Sequence, residues 1–169
     1  MNSEKSVYIA QGEEAVGNDP AMIVSTILGS CVAVCLWDPV AKVGGINHLL
    51  LPEMKNPSGS MDTAGAVAMD RLINRMMPLG AIRSRLRGKL FGGSSMLSGM
   101  TDIGARNAAF GRVYLANEGI PMDAENVGGT SARKLKFWPA TGSVRMKLVA
   151  EAPALKPLHF ERSNEVELF

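Results

Sequence analysis

The chain has 169 residues, 46% apolar and 20% charged, with 18 basic against 16 acidic side chains. That balance excludes a disordered or fibrous polypeptide, and a net charge of only +2 excludes a strongly electropositive nucleic-acid binder. Five Phe, two Trp and two Tyr are too few for broad base-stacking platforms, and the length suits one domain.

In chain order, Val7 to Ala10 is expected to open as a short strand. The stretch from Pro20 to Trp37 carries no charge and approaches membrane-span length. Ser25, Thr26, Gly29 and Ser30 interrupt it, and Asp19 and Asp38 bracket it. It reads better as two buried strands, Met22 to Leu28 and Cys31 to Trp37, around a Gly-Ser bend. Asp38-Pro39 predicts a turn and Val43 to Leu51 a third strand. Consecutive strands apolar on both faces imply a sheet covered on two sides.

Met54 to Ser60 is a polar loop. The period then becomes helical, with Val67, Leu72, Ile73 and Met76 at helical spacing. Asp62 or Thr63 is the candidate N-cap, and Pro78 with Gly80 ends the helix. Arg87 to Phe91 is a strand running into Gly92-Gly93-Ser94-Ser95. A second helix is expected over Ile103 to Asn117, capped by Thr101 or Asp102 and stopped at Gly119-Ile120-Pro121. Met122 to Val127 is a strand before Gly128-Gly129. Both double glycines are assigned to tight turns, since no G-x-G-x-x-G or Lys-Ser/Thr accompanies them. Leu135 and Phe137 alternate with Lys134 and Lys136, and Val144, Met146 and Leu148 with Arg145 and Lys147. With Pro139-Ala140-Thr141-Gly142 between them, these form a hairpin. The expected organisation is α+β: one layered domain over residues 1–150 and a loosely packed tail over 151–169.

The chemistry-bearing residues gather between Ser25 and His48. Two cysteines and two histidines are too few for a disulfide framework or a common zinc site, and suit a reduced, cytoplasmic protein. The first residues contain no apolar signal segment. Cys31 follows Gly29-Ser30 at the mouth of a strand, where a thiol can be exposed and the backbone N–H groups of Ser30 and Cys31 can face an oxyanion. The competing reading is a second core cysteine, the role that its position gives Cys35. His48 follows Cys31 by 17 residues, far enough to lie on a neighbouring strand, and imidazole is the usual base for a thiol. Its competing reading is a half-buried histidine beside Leu49 and Leu50. A hydroxyl from Ser25 or Thr26 could orient the ring, but adjacent strand residues point to opposite faces, so only one can do so. Two basic strips could steer an acidic partner: Arg83, Arg85, Arg87 and Lys89, and the hairpin's Lys134, Lys136, Arg145 and Lys147. The plain alternative is that both are solvated faces.

The run MIVSTILGSCVAVCLWDPVAKVGGINHLLLPE resembles the CheD family of chemoreceptor glutamine deamidases. The likeness continues through Phe91 to Met96, Asp102 to Asn107 and Asp123 to Gly129. The resemblance implies a single-domain α/β/β layered sandwich with mixed sheets, akin to Cys–His toxin-type deamidases. It implies Cys31 as nucleophile, His48 as general base and no cofactor. The family's third residue is a threonine six positions before the cysteine. Here Ser25 holds that position and Thr26 comes one place later. Ser25 is the expected third catalytic residue because the flanking residues match without a gap. The implied reaction converts receptor glutamines to glutamates through a Cys31 thioester, and receptor methylester hydrolysis is a further activity the same nucleophile would serve. The implied partners are chemoreceptor cytoplasmic helices and a CheC-type phosphatase, with no nucleic acid and no membrane insertion; a monomer is expected. Two rival readings stand beside it: a chemotaxis binding regulator that pairs with the phosphatase with little turnover, and an unrelated cysteine hydrolase of small amides.

Overall fold

A computed structural model describes residues 3–52, 60–95, 102–149 and 166–169, with side chains in the first helix from Thr63 onward. The strands are β1 (Lys5–Tyr8), β2 (Glu14–Gly17), β3 (Met22–Leu28), β4 (Val32–Asp38), β5 (Val43–Asn47), β6 (Arg87–Gly92), β7 (Met122–Val127), β8 (Ala132–Trp138), β9 (Ser143–Val149) and β10 (Glu167–Leu168). The helices are α1 (Ser60–Met76) and α2 (Ile103–Asn117). They make three layers. Both helices pack on a sheet ordered β2-β5-β4-β6-β7, and a second sheet, β1-β3-β8-β9-β10, stacks on its other face. Both sheets are mixed: β1 with β3 and β6 with β7 run parallel, and the remaining pairs run antiparallel.

This α/β/β arrangement explains the burial pattern. β4 lies mid-sheet under helices on one side and the outer sheet on the other, so both its faces are apolar. Val32, Val34 and Leu36 meet Met69, Leu72 and Ile73 of α1 in one core. Ala33 and Cys35 meet Val24, Leu28, Leu135 and Phe137 in a second core between the sheets. β8 and β9 alternate buried and exposed residues, because one face of the outer sheet is wet.

Several sequence expectations change. β3 and β4 are consecutive but do not pair; they belong to different sheets, and Gly29–Cys31 is the crossover between layers. β4 and β5 are covered on both sides, whereas β3 leaves Ile27 45% exposed. β2 was not anticipated; four residues with Glu14 and a terminal glycine carry little strand pattern. α1 begins at Ser60, so Asp62 and Thr63 lie inside it instead of capping it. Asp102 does cap α2, its Oδ1 accepting from Ala105 N at 2.9 Å. Most of the Met54 to Ser60 loop lies outside the described residues, as does 151–165 of the expected tail. The tail's last residues are docked: β10 pairs with β9, Phe169 exchanges two backbone bonds with Val144, and its ring meets Phe91 edge-on.

Both double glycines are turns with positive φ. At Gly92 (φ 108°) a Cβ would also collide with the Cys31 carbonyl oxygen, so the loop after β6 can lie against the crossover only as glycine.

Candidate active site

The crossover Gly29-Ser30-Cys31 is held from one side. Its three successive carbonyls accept from Ser94 N (3.0 Å), Asn107 Nδ2 (2.9 Å) and Gly93 N (2.8 Å). Among the described residues, the N–H groups of Ser30 and Cys31 have no backbone acceptor. The Gly92–Ser94 loop is fixed in turn by the buried guanidinium of Arg133, which donates to Ser94 Oγ (2.6 Å), Gly92 O (3.3 Å), Gly128 O (2.8 Å) and Asn126 Oδ1 (2.9 Å).

His48 follows β5 directly. The β4–β5 ladder is interrupted where Asn47 Oδ1, not a carbonyl, takes the Val34 N–H at 3.1 Å, and it resumes as a bridge between Val32 and Leu49. Counting register from Cys35–Ile46 to Val32–Leu49 sets His48 opposite Ala33. Cys31, Ala33 and His48 therefore share the face turned to the outer sheet, with Cys31 and His48 on the diagonal that a long side chain spans. Asn107 joins the two segments. It is fully buried, donates to Ser30 O and accepts from Leu51 N (3.1 Å), so one side chain on α2 ties the cysteine turn to the stretch just beyond the histidine.

The hydroxyl that reaches the ring belongs to Thr26, not Ser25. Thr26 Oγ1 lies 2.7 Å from His48 Nδ1 and donates to Ile9 O at 2.7 Å. A hydroxyl has one proton. With that proton on the Ile9 carbonyl, Oγ1 accepts from Nδ1–H, so in the neutral ring Nε2 carries the lone pair. Ser25 pairs in register with Tyr8 and Lys136 on the outer face of its sheet. The correction follows from strand alternation: Val24, Thr26 and Leu28 are buried on the inter-sheet face, and Ser25 is turned away from it.

Burial sets the electrostatics. Cys31 is 8% exposed, and desolvation pushes its thiol above the ordinary value. Burial lowers the His48 imidazole below its ordinary value, opposed by the Ile9 carbonyl and by Glu13. Both shifts favour a neutral thiol beside a neutral ring. Cys35, 1% exposed, is driven up further by burial, although Lys89 opposes the rise, and it acts as a core residue. A cavity of ≈ 150 Å³ opens beside His48, bounded by the Gln11–Glu13 turn and by Ala64, Gly65 and Ala68 of α1. Among the described residues no cluster of three or more His, Cys, Asp or Glu could hold a metal.

Two residues at this site were not found by sequence reasoning. Gln11 places Oε1 3.9 Å from Cys31 Sγ; its only advance sign was the Gln-Gly turn. Asn107 sits on the buried stripe of α2 with Gly104, Ala108 and Gly111, and a polar residue on an inward stripe was a readable signal. The first basic strip does not face a partner. Arg83 pairs with Glu118, Arg85 with Asp38 and Arg87 with Asp123, while Lys89 is buried against Gly142 O. Lys134, Lys136, Arg145 and Lys147 are exposed on the hairpin as expected.

Comparison with known proteins adds a family. A probable chemoreceptor glutamine deamidase CheD of Caulobacter sp. (strain K31) is 43% identical over 96% of this chain and 92% of its own length. The protein of the same name from Zymomonas mobilis is 42% identical over 100% and 95%. Among solved structures, Bacillus licheniformis hypothetical protein YfiH is similar at TM-score 0.43 and 14% identity, covering 74% of this chain and 60% of that one. Residues 50–148 match the family model described as CheD chemotactic sensory transduction. With that match and identities above 40% along nearly all of its length, the chain belongs to the CheD family.

Proposed function

We propose that this protein is a glutamine deamidase of chemoreceptors that works through a Cys31 thioester. The observation that carries the reading is the Ile9–Thr26–His48 relay, which leaves Nε2 as the proton acceptor on the face that Cys31 shares. The names of the relatives supply the substrate: receptor glutamine side chains.

His48 Nε2 takes the thiol proton as Cys31 Sγ adds to the carboxamide carbon. The carbonyl oxygen becomes an oxyanion facing the N–H groups of Ser30 and Cys31, a stabilisation worth ~3–4 kcal/mol per donor in studied enzymes. The tetrahedral adduct collapses with cleavage of the C–N bond, and imidazolium gives its proton to the departing ammonia. Water, deprotonated by His48, hydrolyses the thioester and leaves glutamate with the free thiol. Thr26 touches no reacting atom; it is a positioning residue that fixes tautomer and ring angle. On this reading the partners are the cytoplasmic helices of chemoreceptors, and the protein acts in the cytoplasm. No helix among the described residues is long and apolar enough to cross a membrane.

The test is ammonia release from a receptor cytoplasmic fragment, with peptide mass spectrometry for conversion of Gln to Glu. Wild type releases ammonia and Cys31→Ala does not; equal release by Cys31→Ala overturns the reading. The low exposure of Cys31 favours a second reading, a monomeric regulator that binds a CheC-type phosphatase with little turnover. On that reading wild type and Cys31→Ala bind the phosphatase equally and neither releases ammonia.

A further inference from the structure

Gln11 stands in an unusual place for an exposed glutamine. Its turn is closed by Glu13 N donating to Ala10 O at 2.9 Å, with Gly12 at φ 84°. Gly12 N donates to His48 O at 2.9 Å, and His48 N to Glu13 O at 3.0 Å. Two residues earlier, Ile9 donates to Ser25 O and accepts from Thr26. The backbone on both sides of Gln11 is thus strapped to the elements that carry His48 and Thr26. Only the side chain is free to move, with three rotatable bonds and an outlet to solvent.

A primary carboxamide on an exposed turn makes its hydrogen bonds to water. This one turns its oxygen to a thiol that is 8% exposed, at 3.9 Å, within reach of a sulfur hydrogen bond. Its functional group is the one that the proposed reaction consumes. We propose that the Gln11 carboxamide is a substrate mimic in cis: it occupies the place of the substrate carboxamide in the free protein and swings out when a glutamine on a partner enters. The inference rests on the deamidase reading and adds a regulation to that site. In the resting contact the thiol proton points at Oε1, so sulfur faces the oxygen and not the carbonyl carbon. The contact holds the thiol without attacking the amide. Release costs one weak hydrogen bond and a side-chain rotation, so the guard is reversible.

The experiment compares iodoacetamide alkylation of Cys31 in wild type, Gln11→Ala and Gln11→Glu, read by peptide mass spectrometry with Cys35 as internal control. Gln11→Ala is expected to alkylate about two- to tenfold faster, the population ratio set by the net worth of a hydrogen bond, and to lower KM for the receptor fragment with kcat unchanged. Gln11→Glu keeps the length but sets a carboxylate against the developing thiolate, and alkylates more slowly than wild type. Unchanged or slower alkylation of Gln11→Ala overturns the guard. So does a fall in its kcat at unchanged KM, which would make Gln11 part of the catalytic machinery. Alkylation needs no turnover, so ammonia release by Cys31→Ala would sink the deamidase reading while the alkylation rates still decide whether Gln11 covers the sulfur.

Discussion

Thr26 Oγ1 and His48 Nδ1 lie 2.7 Å apart, and the hydroxyl's only proton is held by Ile9 O. The bond joins the two sheets: Thr26 is on β3 of the outer sheet, and His48 follows β5 of the sheet beneath the helices. It sets which ring nitrogen can accept a proton before any substrate arrives.

Removing that hydroxyl should therefore damage catalysis more than folding. Thr26→Val keeps the shape and loses the bond; kcat for ammonia release should fall by about 10²-fold, the lower range of what a positioned acid–base group contributes. Thr26→Ser should recover most of the rate, while Ser25→Ala should stay near wild type. Ring ¹⁵N shifts should show the Nε2–H tautomer gaining population in Thr26→Val. A Ser25→Ala variant as slow as Thr26→Val would contradict the assignment.

The pH profile has a defined direction. The base must be neutral, and burial lowers the His48 pKa below its ordinary 6.5, so the acid limb of kcat/KM should lie below 6.5. Burial raises the Cys31 thiol above its ordinary 9.0, so without the base little thiolate forms at neutral pH. In His48→Ala, Cys31 alkylation should be slow until the pH passes 9.0. An acid limb above 6.5 in wild type would argue for a ring held as imidazolium.

Asn107 should matter to stability and rate together. Asn107→Ala leaves the part-buried Ser30 O without its donor and the buried Leu51 N without its acceptor. At 1–3 kcal/mol for the buried Leu51 N and less for the part-buried Ser30 O, a loss of about 2–4 kcal/mol is expected in urea unfolding. kcat should fall as well, because the cysteine turn and the chain beyond His48 lose their common tie. The expected loss of stability with kcat unchanged would confine Asn107 to the fold.

The two basic strips should separate in binding. Lys134→Glu with Lys136→Glu should weaken receptor-fragment affinity by about an order of magnitude at low salt and flatten its salt dependence. Arg83→Ala, whose charge already faces Glu118, should leave affinity unchanged. Titrations at two ionic strengths decide it, and equal effects from the two strips would remove the hairpin from the docking surface.

Much of the architecture was legible in the chain. β3, α2 and β7 lie where apolar runs, helical period and turn residues set them, and Asp102 caps α2 as its position suggested. These features depend on neighbours a few residues apart. The Gly-Ser-Cys bend and the following histidine were legible for the same reason. β2 was not, because its pairing with β5 rather than its own pattern makes it a strand.

What the sequence could not decide is which faces meet. The motif count pointed to Ser25, while the alternation of Val24, Thr26 and Leu28 already placed Thr26 on the apolar side, and only the stacking of two sheets showed that His48 waits there. The contacts of Gln11 with Cys31 and of Asn107 with Ser30 and Leu51 join positions 20, 77 and 56 residues apart. Local propensity ends within a turn or a strand. Such contacts arise when layers bury their apolar faces against one another, and that packing, not the order of residues along the chain, sets the geometry of the site.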